Sequence, residues 1–504
     1  MTTVVIVGAG PAGLAAADSA LRAGAEVTLL DAAPQPGGQF HRMLPAAYAA
    51  THPERVQHGW RSFDRLRRRV LDHPRCTWWP ETTVWAIEPG PRVQVVRGLV
   101  DGVGRARYVL APDALVLATG AHDRVLPFPG WQLPGVFTAG AAQALAKGER
   151  VAVGDRVVVA GSGPFLLPVT AALLEAGSRV LGVFEANAAS TVLRGWGSRP
   201  WEVAGKAGEL LGYATGLARH RVPYRMGRTV IAAHGADRVE EVVLARLRAD
   251  WSVVPGSERT LAVDAVCVGH GFSPQVELAV AVGCELTGAG FVVVGEGQRT
   301  SVPGVYAAGE ITGIAGAPGA AAEGTVAGWH AATGEPGGAA SGSAARGDAA
   351  RGDAARGDVA LGGVARGDAA PGDVALGDRA AGGAALGEAA LRRVLRAKAF
   401  ARRLARAHPI GAGWPSWLQP DTIVCRCEET TFAALSAAAV DPSMMDDRAL
   451  RLATRAGLGP CQGRMCGPTI AELTQSRPTH RRPIAQPIRL GELAEQPHPF
   501  PKED

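Results

Sequence analysis

The sequence has no long apolar run. Nowhere does the chain of 504 residues approach the about eighteen consecutive apolar residues that a membrane-spanning helix requires. Its opening residues are apolar, but they lack the basic start of a secretory signal peptide and lead directly into a glycine-rich turn. We therefore expect this stretch to form a first β-strand and the protein to be cytoplasmic, with no transmembrane segment.

The sequence also has little net charge of either sign. Its formal charge of +5 is small for this length and gives no reason to expect a nucleic-acid partner. Much of the excess falls in residues 391–408, where basic and apolar residues intersperse in a pattern that predicts a basic amphipathic helix. We expect its apolar stripe to pack on the protein's own body, with peripheral membrane contact as the alternative.

Cysteine is scarce, with seven residues in the whole chain. Cys76, Cys267 and Cys284 lie in apolar or strand-like contexts that are typical of small buried side chains. The other four form two close pairs near the C-terminus, Cys425-x-Cys427 and Cys461-x4-Cys466. In a long chain expected in the reducing cytosol, such pairs indicate metal or redox chemistry.

The N-terminal residues carry a dinucleotide-binding fingerprint, Gly8-x-Gly10-x-x-Gly13, between a strand-like and a helix-like segment. The first glycine permits the turn, the second lets the backbone approach a pyrophosphate, and the third lets the helix pack on the strand. The helix N-terminus then faces the phosphate charge. Asp31, at the end of the next predicted strand, is placed to bind a ribose hydroxyl.

Further short motifs favour FAD over NAD at this site. They are Pro36-Gly37-Gly38-Gln39, Ala118-Thr119-Gly120, Ala307-Ala308-Gly309-Glu310 and a small-residue stretch from Gly316. This part of the chain resembles two-dinucleotide-binding flavoproteins. The resemblance implies that Glu310 contacts the ribityl-pyrophosphate region and that the next helix N-terminus faces the flavin. The residues then expected to bind FAD are Gly8, Gly10, Pro11, Ala12, Gly13, Asp31, Gly37, Gly38, Gln39, Ala118, Thr119, Gly120, Gly309, Glu310 and Ala317.

A second, weaker fingerprint begins with Gly161-Ser162-Gly163-Pro164. Leu166 stands where a third glycine would allow close packing, and Pro164 removes a backbone donor from the turn. Glu185, at the end of the next predicted strand, would repel a 2′-phosphate and so disfavours NADP. The occupant stays open among NAD, another nucleotide and none. No Cys-x-x-Cys lies near either fingerprint, so a thioredoxin-reductase-like disulfide mechanism has no support.

The four C-terminal cysteines form an all-thiolate set that suits zinc or an iron-sulfur cluster. Structural zinc usually uses pairs about two to four residues apart, so the Cys-x-Cys pair disfavours zinc. Arg426 and Arg464 lie beside these cysteines and would offset cluster charge, while nearby glycines would direct N–H groups at the sulfurs. A flavin takes electrons in pairs and a cluster passes them singly, so the two motifs together predict an electron-splitting relay.

The fold class that follows is α/β. We expect two Rossmann-like domains, an FAD domain interrupted by an NAD-like domain, plus a small helical C-terminal [2Fe-2S] domain. Residues 336–390 repeat an imperfect Ala-Ala-Arg-Gly-Asp pentapeptide, whose period matches neither helix nor strand and predicts a disordered linker. The expected boundaries are 1–120 and 266–335 for the FAD domain, 121–265 for the NAD-like domain, 391–414 for the basic helix and connector, 415–475 for the cluster domain and 476–504 for a proline-rich tail.

The segments Cys425–Glu429 and Ala456–Gly467 are similar to bacterioferritin-associated-ferredoxin-like [2Fe-2S] domains. With Pro129–Val136, Ala139–Gln143 and Leu490–Ala494, they resemble the flavin and [2Fe-2S] subunits of multi-subunit amino-acid dehydrogenases. That family includes the opine oxidase A, hydrogen cyanide synthase B and hydroxyproline dehydrogenase α subunits. The resemblance covers nearly all of the chain except residues 336–390. It implies that the Gly-x-Gly-Pro form of the second fingerprint is normal, and that His270 replaces a usual tyrosine.

The resemblance implies a subunit that relays electrons from an amino or imino acid of the opine, glycine, proline or hydroxyproline type. Substrate would be oxidised on a separate FAD-containing oxidase subunit, with a small ferredoxin-like subunit as a further partner. The residues themselves show no clear arginine clamp for a substrate carboxylate; His122 and Arg124 are candidates, and surface charge explains them as well. The alternatives are a self-contained NAD(P)H-dependent flavin reductase and a zinc-stapled scaffold that binds a partner through residues 391–408.

Overall fold

Two five-stranded parallel sheets dominate the chain up to residue 334. The computed structural model describes residues 1–55, 57, 59–197, 207–334, 383–441, 447–476 and 484–498. The first sheet has the strand order Val305–Ala307, Ala114–Leu117, Thr3–Val7, Glu26–Leu30, Cys76–Trp79. The second has the order Tyr224–Met226, Arg179–Glu185, Arg156–Gly161, Ala265–Gly269, Val136–Thr138. Both are Rossmann-like, which confirms the predicted α/β class.

Smaller antiparallel sheets accompany the parallel ones. Strands Thr82–Glu88, Arg92–Arg97 and Ala106–Leu110 form one, and strands Arg228–His234, Glu241–Arg246 and Arg259–Ala262 form another. The pair Ala121–Asp123 and Phe272–Pro274 lies where the chain leaves the first nucleotide unit and returns to it. A short pair near the C-terminus joins Ile423–Cys425 to Thr430–Thr431.

Helices cover the sheets and build the C-terminal part. The α-helices are Pro11–Arg22, Trp60–Leu71, Ala139–Gly148, Leu166–Glu175, Ala189–Trp196, Ala207–Arg219, Glu277–Ala281, Gly316–Thr333, Gly383–Ala407, Phe432–Ala439, Asp447–Thr454, Gly467–Leu473 and Leu490–Ala494. Short 3-10 helices span Ala46–Tyr48, Pro53–Arg55, Glu296–Gln298 and Trp414–Trp417.

Two of the expected boundaries differ from the structure. Strand Ala265–Gly269 belongs to the second sheet, so the second nucleotide unit continues past residue 265. This apolar strand ends at a glycine, and glycines also follow the last strands of the first unit. Its sequence therefore does not reveal which sheet it joins. The basic helix begins at Gly383 rather than 391, because the last copy of the repeat, Ala384-Ala385-Leu386-Gly387-Glu388, consists mostly of good helix formers. The predicted linker otherwise lies outside the described residues.

The first strand shows why the first sheet is buried on both faces. Val4 and Ile6 face the helices, while Val5 and Val7 face the antiparallel sheet of residues 82–110. All four side chains are nearly inaccessible to solvent. An uninterrupted run of apolar residues is the pattern of a strand covered on both sides.

Helices Pro11–Arg22 and Gly316–Thr333 cross with their backbones almost in contact. A β-carbon at Gly324 would lie 2.0 Å from the carbonyl oxygen of Ala12, and one at Gly328 would lie 2.0 Å from that of Ala16. Only glycine fits at either point. The crossing joins the start of the chain to residues beyond 310, and so assembles the first nucleotide unit from both of its parts.

The basic helix Gly383–Ala407 bridges the two nucleotide units. Ala390 and Val394 pack on Ala322 and Val326 of helix Gly316–Thr333. Further along, the ring of Phe400 lies 5.4 Å from that of Trp196 in the second unit. One apolar stripe of this helix therefore lies on the protein's own body, whereas Leu395 on the opposite side is 58% exposed.

The C-terminal tail is fastened to the antiparallel sheet of residues 82–110. Arg105 donates two hydrogen bonds of 2.7 Å to the carboxylate of Glu492, and both side chains are buried. Arg107 donates to the carbonyls of Glu492, Leu493 and Glu495 at the end of helix Leu490–Ala494. Bidentate pairing of this kind fixes geometry as well as charge.

The glycine crossing gives a testable prediction. Gly324→Ala should destabilise the chain by about 1–3 kcal/mol or more, because its methyl group overlaps a backbone oxygen that cannot move alone. Gly212→Ala, on the exposed helix Ala207–Arg219, meets nothing within 4 Å and should instead stabilise by up to about 1 kcal/mol. Urea unfolding of both variants measures the difference, and equal midpoints would contradict the crossing.

Candidate functional site

The first fingerprint forms a tight turn, and its three glycines differ in the space that is available for a side chain. Gly8 has a φ of 103°, and a β-carbon there would lie 2.4 Å from the carbonyl oxygen of Ala118. A β-carbon at Gly13 would lie 1.7 Å from the oxygen of Gly8. Gly10 differs, because its nearest neighbour would be the Cα of Gly38 at 3.8 Å. The turn thus leaves Gly10 open just before the helix that starts at Pro11.

Asp31 holds this turn from the end of the adjacent strand. Its carboxylate accepts hydrogen bonds from the backbone N–H groups of Ala9, at 2.6 Å, and Ala33, at 2.8 Å. Burial raises the pKa of Asp31, and these two bonds oppose that shift. The side chain that we expected at a ribose therefore also positions the loop that would receive the pyrophosphate.

The segment Pro36–Gln39 closes over the same turn. Gly37 donates from its backbone to the carbonyl of Ala9 at 2.8 Å, and a β-carbon at Gly38 would lie 2.9 Å from the Cα of Gly10. Gln39 is exposed at the rim. Gly37 and Gly38 therefore pack on the fingerprint turn, and we call the surface that they form with Gly8, Gly10 and Gly13 the glycine cradle.

The remaining expected residues lie on neighbouring loops. Ala118 binds the backbone of Val7, and Thr119 donates its hydroxyl to the carbonyl of Gln275 at 2.6 Å. Gly120 follows with a φ of 75°. Gly309 packs against Ala12 at the other side of the turn. These loops come from the carboxyl ends of parallel strands, where open α/β sheets bind ligands.

Glu310 precedes helix Gly316–Thr333, whose second residue is Ala317. Burial raises the pKa of Glu310, while a hydrogen bond from the backbone of Gly316 lowers it. The structure thus joins the acidic residue of the last motif to the start of the next helix, as its place in the sequence suggests.

Sequence reasoning missed Glu323, a buried acid on that helix. Its carboxylate accepts from the backbone of Gly309, at 2.9 Å, and from the hydroxyl of Thr312, at 2.5 Å. Burial raises its pKa, which Thr312 and the charge of Lys398 on the basic helix lower. Glu323 therefore positions the loop around Gly309. An acid inside a run of small apolar residues was the available signal.

The four C-terminal cysteines come together in the folded chain. Cys466 contacts Cys425 and Cys461, and Cys461 contacts Cys427, so the four thiols are linked by successive contacts, and we call this group the thiol row. Cys425 and Cys466 are buried, whereas Cys427 is exposed. Within the described ranges, no three His, Cys, Asp or Glu side chains surround a single point suited to one ion.

Backbone groups reinforce this row. A hydrogen bond from Cys466, joined by backbone N–H groups of Gly457, Glu428 and Cys427, lowers the pKa of Cys425 to about 6 despite burial. The Gly457 nitrogen lies 3.5 Å from the Cys425 sulfur. A β-carbon at Gly459 would lie 2.2 Å from that of Cys427. The glycines near the cysteines therefore allow close approach and supply donors to sulfur.

The cysteine module, residues 423–473, is docked on both nucleotide units. Trp131 donates its indole N–H to the carbonyl of Ile423 at 2.5 Å, and Arg426 lies over its ring at 5.2 Å. Arg464, between two of the cysteines, pairs with Glu277 at 2.8 Å. The module thus has a defined place beside the first two domains.

The two candidates for a substrate clamp lie in this interface. A ring nitrogen of His122 is 2.9 Å from the carbonyl of Arg464, and Arg124 pairs with Glu472 at 2.6 Å. Their hydrogen bonds hold the cysteine module. The structure therefore assigns these groups to docking rather than to a free arginine clamp.

His270 is buried beside the rings of Trp251 and Trp417, whose centroids lie 6.0 and 6.4 Å from its own. Burial, with the nearby charge of Arg124, lowers its pKa to about 3, so its ring is neutral. One ring nitrogen accepts from the backbone of Leu126 at 3.3 Å. This position is a packing position beneath the C-terminal part.

The interleaved sheets and the glycine cradle define the class as a flavin-dependent oxidoreductase of the two-dinucleotide type. Residues 2–335 match the family described as pyridine nucleotide-disulphide oxidoreductase, and the chain belongs to that family. Membership implies FAD as a cofactor. No helix among the described residues is long and apolar enough to cross a membrane.

Relatives cover nearly the whole chain. The A subunit of opine oxidase from Rhizobium meliloti is 31% identical over 98% of this chain and 88% of its own. The HcnB subunit of hydrogen cyanide synthase from Pseudomonas protegens is 30% identical over 92% of this chain and 89% of its own. The crystal structure of L-proline dehydrogenase from P. horikoshii, 18% identical, has a TM-score of 0.59 and covers 98% of this chain and 79% of that one. The last likeness concerns the fold alone.

Docking of the cysteine module gives a second prediction. Trp131→Phe keeps an aromatic ring but leaves the Ile423 carbonyl without its donor, which should cost about 1–3 kcal/mol. Hydrogen exchange should accelerate in residues 423–431 while residues 3–7 stay protected. Trp78→Phe, in the outer strand of the first sheet, is the control and should leave residues 423–431 unchanged. Unchanged exchange in Trp131→Phe would contradict this docking contact.

Proposed function

We propose that this chain is an FAD- and [2Fe-2S]-containing subunit of a heteromeric amino-acid or imino-acid dehydrogenase. The single observation that carries the proposal is the presence of a glycine cradle and a row of four thiols in one docked body. When bound, the flavin would accept electron pairs and the cluster would pass single electrons to an acceptor. An opine substrate fits the name of one relative, and glycine, proline and hydroxyproline are the further substrates that we propose from the sequence resemblance.

The cradle fits a dinucleotide in its backbone geometry. Gly8, Gly10, Pro11, Ala12 and Gly13 would form the turn and helix N-terminus that receive the pyrophosphate, with Gly10 as the open position. Asp31, Gly37, Gly38 and Gln39 would flank the ribose side. On the opposite side, the loops of Ala118, Thr119 and Gly120 and of Gly309, Glu310 and Ala317 would complete the FAD site.

The thiols fit a two-iron cluster better than a single zinc ion. Four thiolates are the usual ligands of a [2Fe-2S] cluster, whereas structural zinc usually uses cysteine pairs separated by about two to four residues, and the Cys425-x-Cys427 pair is tighter than that. Cys425, Cys427, Cys461 and Cys466 would be the ligands. The charges of Arg426 and Cys427 interact, Arg464 donates to the carbonyl of Cys461 at 3.3 Å, and the Gly457 N–H would stabilise electron density on sulfur.

The partner assignment rests on the names of the relatives and on what the site contains. Two relatives are subunits of larger enzymes by name. In the described part of this chain, the two basic candidates for a carboxylate clamp hold the cysteine module. We therefore propose that a separate FAD-containing oxidase subunit binds the substrate, with a small ferredoxin-like subunit as a further partner.

Flavin binding can be tested at Gly10. Gly10→Ala should fold, because its methyl group meets only an ordinary contact at 3.8 Å, but that group blocks the open face where a pyrophosphate would approach. We expect at least about a tenfold loss of flavin affinity, equivalent to about 1.4 kcal/mol, with an unchanged unfolding midpoint of the flavin-free chain. The flavin absorbance of the purified chain measures this. Gly295→Ala, also in open space, is the control; full flavin content in Gly10→Ala would contradict the site.

The relay is tested by anaerobic co-purification with the oxidase subunit encoded beside it, followed by an amino-acid screen against an artificial acceptor. Cys427→Ala should lose iron, labile sulfide and acceptor reduction, because an exposed ligand is removed without disturbing the core. Cys76→Ala, outside the thiol row, is the control.

Three outcomes would contradict the relay. Full-rate oxidation of glycine, proline or an opine by this chain alone would show that it needs no partner. Zinc without iron or labile sulfide would favour the scaffold. Bleaching of the flavin by NADH in the isolated chain would favour the alternative, a self-contained NAD(P)H-dependent reductase.

A further inference from the structure

The acidic residue of the second fingerprint differs from that of the first in its burial. Glu185 ends the second strand of its sheet, as Asp31 does in the first, but its side chain is fully buried. One oxygen accepts from the backbone of Gly163 at 2.8 Å, and the other from the backbone of Asn187 at 3.0 Å. An acid at this point would normally hold the ribose of a nucleotide. Here it is engaged with the protein.

A C-terminal segment covers this acid. We call residues 408–417 the strap, because they run from the end of the basic helix across the second unit. A ring nitrogen of His408 lies 3.4 Å from Glu185. The backbone of Gly413 donates to the carbonyl of Asp250. The strap thus starts on the residue that would face a ribose.

Three tryptophans seal the space beyond Glu185. Trp251, Trp414 and Trp417 form a buried cluster with Ala186 and Leu126. The rings of Trp251 and Trp417 are stacked with centroids 6.0 Å apart, and Trp417 donates its indole N–H to the carbonyl of Trp251 at 2.9 Å. Ala186, the residue directly after Glu185, belongs to this cluster, so the cluster lies beside the acid that would hold a ribose. Aromatic side chains of the strap and its neighbour fill that region.

We propose that the strap occupies the adenosine half of the second nucleotide site, so that this fold holds the cysteine module in place of a nicotinamide nucleotide. The strap leads within a few residues to strand Ile423–Cys425, and Trp414 also donates to Glu472 of the module at 3.1 Å. The strap that fills the second nucleotide site then also holds the cysteine module in its docked position. The inference does not depend on which cofactors the chain binds.

The start of the following helix agrees with this assignment. Helix Leu166–Glu175 begins two residues later, relative to its fingerprint, than helix Pro11–Arg22 does. Pro164 and Phe165 form a turn there instead. The helix N-terminus that would hold a pyrophosphate therefore begins later at the second site, which weakens it as a nucleotide site.

Gly411 offers a way to lift the strap without altering the nucleotide fold. A β-carbon there would lie 2.4 Å from the ring of Trp251 and 2.5 Å from the carbonyl oxygen of Asp250. Gly411→Val should push the strap outward. Ala412→Val adds two methyl groups at the next, exposed residue and is the matched control. His408→Ala removes only the ring over Glu185 and replaces Gly411→Val if that variant does not fold.

The experiment titrates each full-length chain with NADH, followed by nucleotide fluorescence, and measures hydrogen exchange in residues 408–418. We expect the wild type and Ala412→Val to show a protected strap and no saturable binding below about 1 mM. Gly411→Val should show a rapidly exchanging strap and saturable binding. Flavin absorbance in the same samples reports separately on the proposed function.

Three results would overturn the proposal. The first is saturable NADH binding by the wild type while the strap stays protected. The second is a strap in Gly411→Val that exchanges as slowly as in the wild type. The third is a loosened strap in Gly411→Val without any NADH binding, since something other than the strap would then exclude the nucleotide.

Discussion

The close crossing of helices Pro11–Arg22 and Gly316–Thr333 supports the other features of the structure. Gly324 and Gly328 allow the two backbones to meet, and this contact fixes the loop of Gly309 against the first fingerprint. The same helix carries Glu323, which holds that loop, and the apolar face on which the basic helix lies. Through the basic helix the constraint reaches the strap. A backbone contact near residue 12 therefore influences where residues beyond 408 are placed.

The two nucleotide units show how one fold is put to different uses. In both, the first glycine touches the neighbouring strand, and an acid at the end of the second strand holds the fingerprint loop. Asp31 keeps a partly exposed carboxylate, whereas Glu185 lies beneath protein. Burying a carboxylate is costly unless hydrogen bonds satisfy it, and the N–H groups of Gly163 and Asn187 provide them. The second unit thereby becomes a platform for the chain's own C-terminal part.

The sequence allows prediction of local features better than of long-range contacts. Glycine spacing, the acid at residue 31 and apolar runs predict the α/β class, because each depends on a few neighbouring residues. Whether strand Ala265–Gly269 joins the first or the second sheet depends on the strands that lie beside it in the fold. The residues of the strand itself do not indicate which sheet it joins. The roles of His122 and Arg124 depend on partners more than three hundred residues away. Neither a motif nor a periodicity reports such pairings. Glu323 differs, because its partners Gly309 and Thr312 are close in sequence and its place in a run of small apolar residues was a local signal. The ligands expected around the two cofactors remain predictions, although the structure brings their residues together.

The anchoring of the basic helix has a consequence for the repeats that precede it in the sequence. Helices Gly316–Thr333 and Gly383–Ala407 pack on each other, so both ends of the intervening segment are fixed on neighbouring elements. The entropic cost of closing a loop rises only with the logarithm of its length. Gain or loss of a pentapeptide should therefore change the free energy of folding very little and leave the thiol row where it is. Such a segment can accumulate length variation between close relatives while the two ends that it joins are held under selection.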